Sequence, residues 1–171
     1  LSIGQQMIET LKAHRNISKA EAHRLSVEKL NLVAIPSAES RMDAYPHELS
    51  GGLRQRVVIA IALLTDPELI IADEPTTALD VTIQAEIMSL ILRLCRENDV
   101  ALILITHDLG VVANMAQKVV VMHKGRVMER GDAQDVLGSP AHPYTAKLFA
   151  AAPMIPAVAA PAPASETPAD D

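Results

Sequence analysis

The stretch that decides the fold of this 171-residue chain reads LSGGLRQR at residues 49–56, LIIADEP at 69–75 and TALD at 77–80. A serine and two glycines open a predicted helix, and the free N–H groups of a helix N-terminus attract anions. A short apolar strand then ends in Asp73 and Glu74, and two carboxylates at a strand end suit a metal ion and a water molecule. The order and closeness of these two features predict a site for nucleotide hydrolysis.

The residues that follow predict an α/β fold. Residues 69–72 and 101–106 are short apolar runs, typical of parallel strands that are covered on both faces. The helix between them carries one apolar face: Ile83, Ile87, Leu90, Ile91 and Leu94. Ligands in such folds gather at the carboxyl ends of the strands. We therefore expect His107, directly after the second run, to lie beside Asp73 and Glu74.

The first 65 residues read as a mostly helical subdomain. Helices are predicted over residues 3–15, from Ser18 to about Leu30, and from Ser50 to Leu64. Ser18 and Glu21 have the spacing of a capping box. Residues 31–48 contain two prolines and read as a connection.

The C-terminal part reads as the end of an ATPase core followed by a tail. Residues 119–122 and 126–129 flank Lys124-Gly125 and predict a hairpin. A proline-rich turn at residues 139–143 is expected to lead into a short helix ending near Phe149. The domains are thus predicted as a helical subdomain over 1–65, the C-terminal part of the core over 66–150, and a disordered alanine- and proline-rich tail over 151–171.

Composition narrows the classes of function. The net charge is -6, which argues against a nucleic-acid partner, and three aromatic residues are too few for a base-stacking platform. The single cysteine, Cys95, rules out an internal disulfide and a cysteine-based metal cluster, and its place in an amphipathic helix predicts ordinary packing. The longest apolar run, residues 57–64, is far shorter than the roughly 18 residues that span a bilayer.

Each candidate site residue has a chemical role and a plainer alternative. Asp73 would anchor Mg²⁺ and Glu74 would polarise the attacking water, a contribution of ~10²–10⁴-fold in rate for a positioned general base. Ser50, Gly51 and Gly52 would bind phosphate, because glycines let an anion approach the backbone. The alternatives are a solvated acidic turn and a serine N-cap followed by flexible glycines.

His107 would donate a hydrogen bond to a γ-phosphate or orient the water, although a lone histidine at a strand end is more often structural. The phosphate-binding string G-x-x-x-x-G-K-[ST] does not occur in the 171 residues. The chain also begins at Leu1 rather than at methionine. We therefore expect it to be the C-terminal part of a longer ATPase domain.

Together these motifs resemble those of the ATP-binding subunits of ABC transporters, over residues 1 to about 150. Ser50 to Gly52 resemble the signature motif, Asp73 and Glu74 the Walker B aspartate and the catalytic glutamate, and His107 the switch histidine. The resemblance adds Asp80 as the D-loop aspartate. It implies a partial P-loop NTPase (RecA-like) core with a helical subdomain, using ATP and Mg²⁺. One departure is Leu53, where the signature commonly has glutamine.

The resemblance also implies partners. Two ATPase subunits would form a head-to-tail dimer, in which Ser50 to Gly52 grip ATP bound to the other subunit while Asp73, Glu74 and His107 act on this subunit's own ATP. Residues 45–48 and 139–145 are similar to segments of the dipeptide, oligopeptide and nickel importer ATPases. That branch implies transmembrane permease subunits, an indirectly coupled solute-binding protein, and a peripheral position on the cytoplasmic face of the membrane.

Two alternatives stay open at this point. A soluble ABC-type ATPase that acts on the ribosome or DNA would be expected to carry a second cassette, a basic linker or a long coiled coil, none of which is visible. A non-catalytic fragment would contribute only signature residues or protein contacts.

Overall fold

The computed structural model describes residues 1–77 and 79–151, and its contacts divide the chain into two compact units. The first unit is Leu1–Ile105 and the second begins at Thr106. The predicted boundary at residue 65, between the helical subdomain and the ATPase core, falls within the first unit and stays a prediction. The predicted tail, apart from Ala151, lies outside the described residues.

The first unit contains five helices, a short 3₁₀ turn and two strands in the described residues. In chain order these are α1 (Ile3–His14), α2 (Lys19–Leu32), α3 (Ala38–Arg41), the 3₁₀ turn (Pro46–Glu48), α4 (Gly51–Ala62), β1 (Leu69–Asp73), α5 (Val81–Glu97) and β2 (Ala101–Ile105). The predicted helices are confirmed. The connection over residues 31–48 differs from its expectation in containing α3 and the 3₁₀ turn.

Local sequence explains where the first two helices begin. A capping box starts α1, since Ser2 Oγ accepts the Gln5 amide and Gln5 Oε1 accepts the Ser2 amide. At α2 only half of the expected box forms: Ser18 Oγ accepts the Glu21 amide over 3.1 Å. The Glu21 carboxylate instead binds the Arg24 guanidinium one turn along the helix.

The core of the first unit is built from helix faces. Ile3, Met7 and Leu11 of α1 are fully buried, as the spacing predicted. The face of α5 predicted to be apolar is buried at Ile87, Leu90, Ile91 and Leu94. Cys95 is buried beside them, and this burial raises the pKa of its thiol. Ordinary packing of Cys95 is therefore confirmed.

Strands β1 and β2 pair in parallel, with Leu69 opposite Ala101 and Asp73 opposite Ile105. The expectation that both faces of these strands are covered is wrong for the described residues. Ile71 is 63% exposed and Ile103 and Ile105 are each 48% exposed, all on one face of the sheet.

The second unit is an antiparallel hairpin with three helices in its described part. These elements are α6 (Leu109–Met115), β3 (Lys118–His123), β4 (Arg126–Asp132), α7 (Ala133–Gly138) and α8 (Pro143–Ala150). The hairpin prediction is confirmed, because Lys124 and Gly125 form its two-residue turn with φ of 48° and 74°. Two positive φ values are those of a type I′ turn, whose twist matches that of the strands.

The predicted short helix near the C-terminus is confirmed as α8, with Pro143 in its first turn. Among the residues that the structure describes, no helix has the length and apolar character needed to cross a membrane.

Candidate nucleotide site

The two candidate carboxylates lie where β1 ends. Asp73 is the last residue of β1, and Glu74 follows it with φ of 45°, in the left-handed region. The Glu74 amide donates to the Ile105 carbonyl over 2.9 Å, so pairing with β2 continues one residue past β1. Glu74 therefore leaves the strand geometry while its backbone stays anchored. Both side chains are exposed, as ligand-binding carboxylates need to be.

The residues after Glu74 close a turn on it. The Thr77 amide donates to the Glu74 carbonyl over 3.2 Å, and the Thr77 hydroxyl donates to Glu74 Oε2 over 2.8 Å. Thr77 thus holds both the backbone and the carboxylate of Glu74. Sequence reasoning missed this contact, although a hydroxyl three residues after a turn carboxylate is a local signal that could have indicated it.

Ser50 is the N-cap of α4. Its Oγ accepts the Leu53 amide over 3.4 Å, and its carbonyl accepts the Arg54 amide over 2.9 Å. Ser50 is thus a helix N-cap, as the alternative reading predicted, although the hydrogen bond from the Leu53 amide is long and weak. Because Ser50 is exposed, the cap and an anion can share the same helix end. Leu53 contributes its backbone amide to this turn.

The two glycines of the turn face α5 at close range. A Cβ on Gly51 would lie 3.1 Å from Leu79 Cδ2, and one on Gly52 would lie 2.9 Å from Ile83 Cγ2. Sequence reasoning assigned these glycines to phosphate binding or, as the alternative, to a flexible turn after the serine N-cap. It missed this packing because the contact joins residues about 30 positions apart.

Asp80 is the N-cap of α5, and its Oδ1 accepts the Ile83 amide over 3.0 Å. It is exposed and stands at the start of the helix that packs on the two glycines. The structure thus places Asp80 beside the Ser50 turn within the first unit. Ala78, in the turn before it, lies outside the described residues.

His107 lies two residues after β2, at the beginning of the second unit. Its neighbours on both sides are fixed: Thr106 Oγ1 accepts the Asp108 amide over 3.0 Å, and Asp108 Oδ1 caps α6 by accepting the Gly110 and Val111 amides. Asp108 is thus a residue that holds the histidine turn, and the sequence reasoning missed it. The proximity of His107 to Asp73 and Glu74 stays a prediction.

The described residues contain no group of three or more His, Cys, Asp or Glu side chains arranged to hold a metal ion. A Mg²⁺ ion beside a nucleotide takes one or two carboxylates and completes its shell with phosphate oxygens and water. The carboxylate of Asp73 is exposed, and its assignment as a Mg²⁺ ligand stays a prediction.

Comparison with known proteins agrees with this set of features. A family model described as ABC transporter matches residues 2–77. The oligopeptide transport ATP-binding protein OppD of Salmonella typhimurium is 56% identical over 155 residues, which are 91% of this chain and 46% of that protein. The dipeptide transport ATP-binding protein DppD of Escherichia coli is 50% identical over 152 residues, 89% of this chain and 46% of that protein.

A solved structure gives the same result for the fold. The dimeric post-hydrolysis state of the ATP-binding cassette MJ0796 bound to ADP and Pi matches with a TM-score of 0.65 at 28% identity, covering 78% of this chain and 57% of that chain. The chain is thus similar to ABC transporter ATP-binding proteins, and it has part of the P-loop NTPase α/β fold. Its matched curated relatives include peptide-transport ATP-binding proteins, and the chain spans about half of their length, 46% in each case reported above.

Proposed function

We propose that the protein carrying this chain hydrolyses ATP to drive a membrane importer of peptides or related small solutes. The observation that carries this proposal is the acidic end of β1, anchored to β2, in the same unit as the signature turn at Ser50. The match to OppD, which is named as an oligopeptide transport protein, supports the choice of solute class. It also disfavours a soluble ATPase acting on the ribosome or DNA.

In the proposed reaction, the oxygen of a water molecule bonds to the γ-phosphorus of ATP while the bond to the β–γ bridging oxygen breaks, leaving ADP and phosphate. Glu74 accepts a hydrogen bond from that water, orients it and takes up the proton that the water loses on attack. His107 donates to the γ-phosphate. Asp73 would hold Mg²⁺, which would supply positive charge to offset that of the phosphates when bound.

The signature turn would act on a second nucleotide. We assign Ser50, Gly51 and Gly52 to the γ-phosphate of ATP held by a second ATPase subunit, with Asp80 at the same edge. The dimeric state of the MJ0796 structure supports a two-subunit arrangement. The remaining partners would be transmembrane permease subunits and, through them, a solute-binding protein. The subunit would lie peripherally on the cytoplasmic face of the membrane, with no nucleic-acid partner.

The test of this proposal is Glu74→Gln in the full-length protein. Loss of the carboxylate should lower ATP turnover by at least about 10²-fold, the lower range for a positioned base, while ATP binding persists. Bound ATP after gel filtration and phosphate release measure the two effects. The matched control is Glu68→Gln, the same change just before the other end of β1. Normal hydrolysis by the Glu74 variant would refute the assigned role.

A second expectation concerns residues 1–171 in isolation. Since their sequence contains no G-x-x-x-x-G-K-[ST] string, we expect negligible ATPase activity from the purified chain. Robust turnover, with contaminating ATPases excluded, would contradict this expectation.

A further inference from the structure

Helices α4 and α5 lie side by side with their N-termini at the same end. Gly51 lies against Leu79, Gly52 against Ile83, and one turn further on Arg56 pairs with Glu86. The contacts advance along both helices in the same direction. The turns capped by Ser50 and by Asp80 are therefore neighbours in the first unit.

The closest of these contacts requires glycine for a steric reason. A Cβ on Gly52 would lie 2.9 Å from Ile83 Cγ2, well inside van der Waals contact. Ile83 is β-branched and sits in a helix, so its χ1 has one strongly preferred rotamer and Cγ2 cannot swing aside cheaply. Gly52 is part of the first turn of α4 and has no positive φ, so its backbone would accept alanine.

The neighbouring contact is more tolerant. A Cβ on Gly51 would lie 3.1 Å from Leu79 Cδ2, which is the far end of a flexible side chain. A rotation about the leucine χ2 bond can relieve that contact. A side chain at position 51 is therefore easier to accommodate than one at position 52.

Beyond the glycines, polar contacts of Arg56 continue the interface between α4 and α5. The Arg56 guanidinium donates to Glu86 Oε2 over 3.3 Å and to the Val33 carbonyl, at the end of α2, over 3.1 Å. The Arg56 side chain is only 19% exposed. The second turn of α4 is therefore tied to both α5 and α2, so that α4 has little freedom to move away from Ile83.

We propose that Ile83 is a positioning residue for the signature turn. Its contact with Gly52 sets the spacing between the Ser50 turn and the Asp80 turn, so that the two move as one piece. Gly52 is glycine because α5 packs on it, in addition to any contact with phosphate. This inference rests on the proposed function, which assigns both turns to nucleotide binding.

The test uses the full-length protein in the Glu74→Gln background, where ATP-dependent dimerisation can be measured without turnover. Gly52→Ala should weaken ATP-dependent dimerisation by about tenfold or more, the loss of roughly one well-made contact. Adding Ile83→Ala removes Cγ2 and should restore it to within about threefold. Adding Ile83→Val instead keeps Cγ2 and should restore nothing. Gly51→Ala should have a smaller effect than Gly52→Ala.

The outcomes separate the possibilities. If Gly52 serves only to admit phosphate, neither Ile83 variant will rescue Gly52→Ala, and the inference is overturned. It is also overturned if Gly52→Ala dimerises normally. If Gly52→Ala fails to fold, the thermal midpoint of the two double variants replaces dimerisation as the readout, and recovery with Ile83→Ala but not with Ile83→Val is again required. Failure of the Glu74→Gln background itself to dimerise with ATP would count against the proposed function and not against this contact.

Discussion

The Thr77 hydroxyl donates a 2.8 Å hydrogen bond to Oε2 of Glu74, the residue that directly follows β1. Glu74 has a left-handed backbone, a conformation that costs a residue with a Cβ roughly 1–2 kcal/mol. The Ile105 carbonyl and the Thr77 amide hold it there. The backbone thus fixes where the carboxylate starts and Thr77 fixes where it points.

Thr77→Val is therefore expected to lower ATP turnover without unfolding the protein. Valine keeps the shape of threonine and removes the donor, so the carboxylate loses its orientation. We expect kcat to fall by about 3–10-fold, a part of the general-base contribution, with little change in KM for ATP. Steady-state kinetics of the full-length protein measure both.

Thr76→Val is the matched control, because the described structure shows no hydrogen bond from the Thr76 side chain. Equal losses of kcat in the two variants would contradict the orienting role of Thr77.

Asp66 connects three distant segments of the first unit. Its carboxylate binds Lys29 Nζ over 2.8 Å and Arg15 Nη2 over 2.7 Å. The hydrogen bond from Lys29, which has the larger effect, and the one from Arg15 hold the pKa of Asp66 below its ordinary value. A depressed pKa in the folded state means that this stabilisation is present above the pKa of the unfolded state and is lost as the pH falls through the folded pKa.

Asp66→Asn should accordingly destabilise the full-length protein near neutral pH and have no effect at pH values below the folded pKa. Since the Asp66 side chain is 61% exposed, solvent screening limits the loss to about 0.5 kcal/mol. Urea unfolding at a series of pH values measures it. Asp99→Asn is the control, because Asp99 also has a positive φ, 54°, and makes no ion pair within the described part of the chain. A loss that persists in acid would contradict the ion-pair explanation.

The β3–β4 turn predicts opposite effects for two substitutions. Gly125 has φ of 74° and a Cβ there would meet nothing within 4 Å, so Gly125→Ala should cost only the backbone penalty, about 1 kcal/mol. Lys124→Asn creates Asn-Gly, the preferred pair for a type I′ turn, and should stabilise the hairpin. Chemical denaturation of both variants tests this pair. Stabilisation by alanine at position 125 would show that the turn is not type I′.

Glu129 on β4 holds the start of α8. Its carboxylate accepts the amides of Ala141 and His142 over 2.8 and 3.1 Å. The Thr145 hydroxyl, followed by the Ala141 amide, lowers the pKa of this carboxyl. Thr145 Oγ1 has no hydrogen-bond partner in the described chain, so the Thr145 hydroxyl affects the pKa of Glu129 only by lying near its carboxylate. The hydrogen bonds from the two backbone amides determine how the carboxylate is placed.

Glu129→Gln should therefore loosen residues 139–143. The neutral amide is a weaker acceptor and offers one oxygen in place of two. Hydrogen exchange at Ala141 and His142 should accelerate while that of the β3–β4 pairing stays unchanged. Because the folded pKa is depressed, wild-type protection of these two amides should likewise fall as the pH drops through that pKa. Unchanged exchange in the variant would show that Glu129 does not hold residues 139–143 in place.

Much of the local structure could be predicted because its causes are local. Ser2, Ser18, Ser50 and Asp80 cap helices through amides only a few residues away. The Lys124-Gly125 pair determines a hairpin turn through its own φ values. The placement of Asp73 and Glu74 at a strand end also follows from the sequence, since an apolar run ends there and Pro75 prevents its continuation.

Other features could not be predicted from their neighbours. Glu21 has the spacing for a capping box but binds Arg24, because the competing guanidinium lies one turn away on the same face. The open face of the sheet at Ile71 was also unexpected, since a continuous apolar run does not reveal which of its faces is packed.

The order of motifs by itself indicated the resemblance to ABC transporter ATP-binding proteins, the α/β class and the candidate nucleotide-binding residues, because those follow from residue type and spacing along the chain. Only the tertiary structure decided what surrounds them. Gly52 meets Ile83, and Asp66 joins Arg15 to Lys29, through contacts between segments that are far apart in sequence. Such contacts depend on how helices pack, and packing is determined by shape in three dimensions, which no pattern along a single chain records.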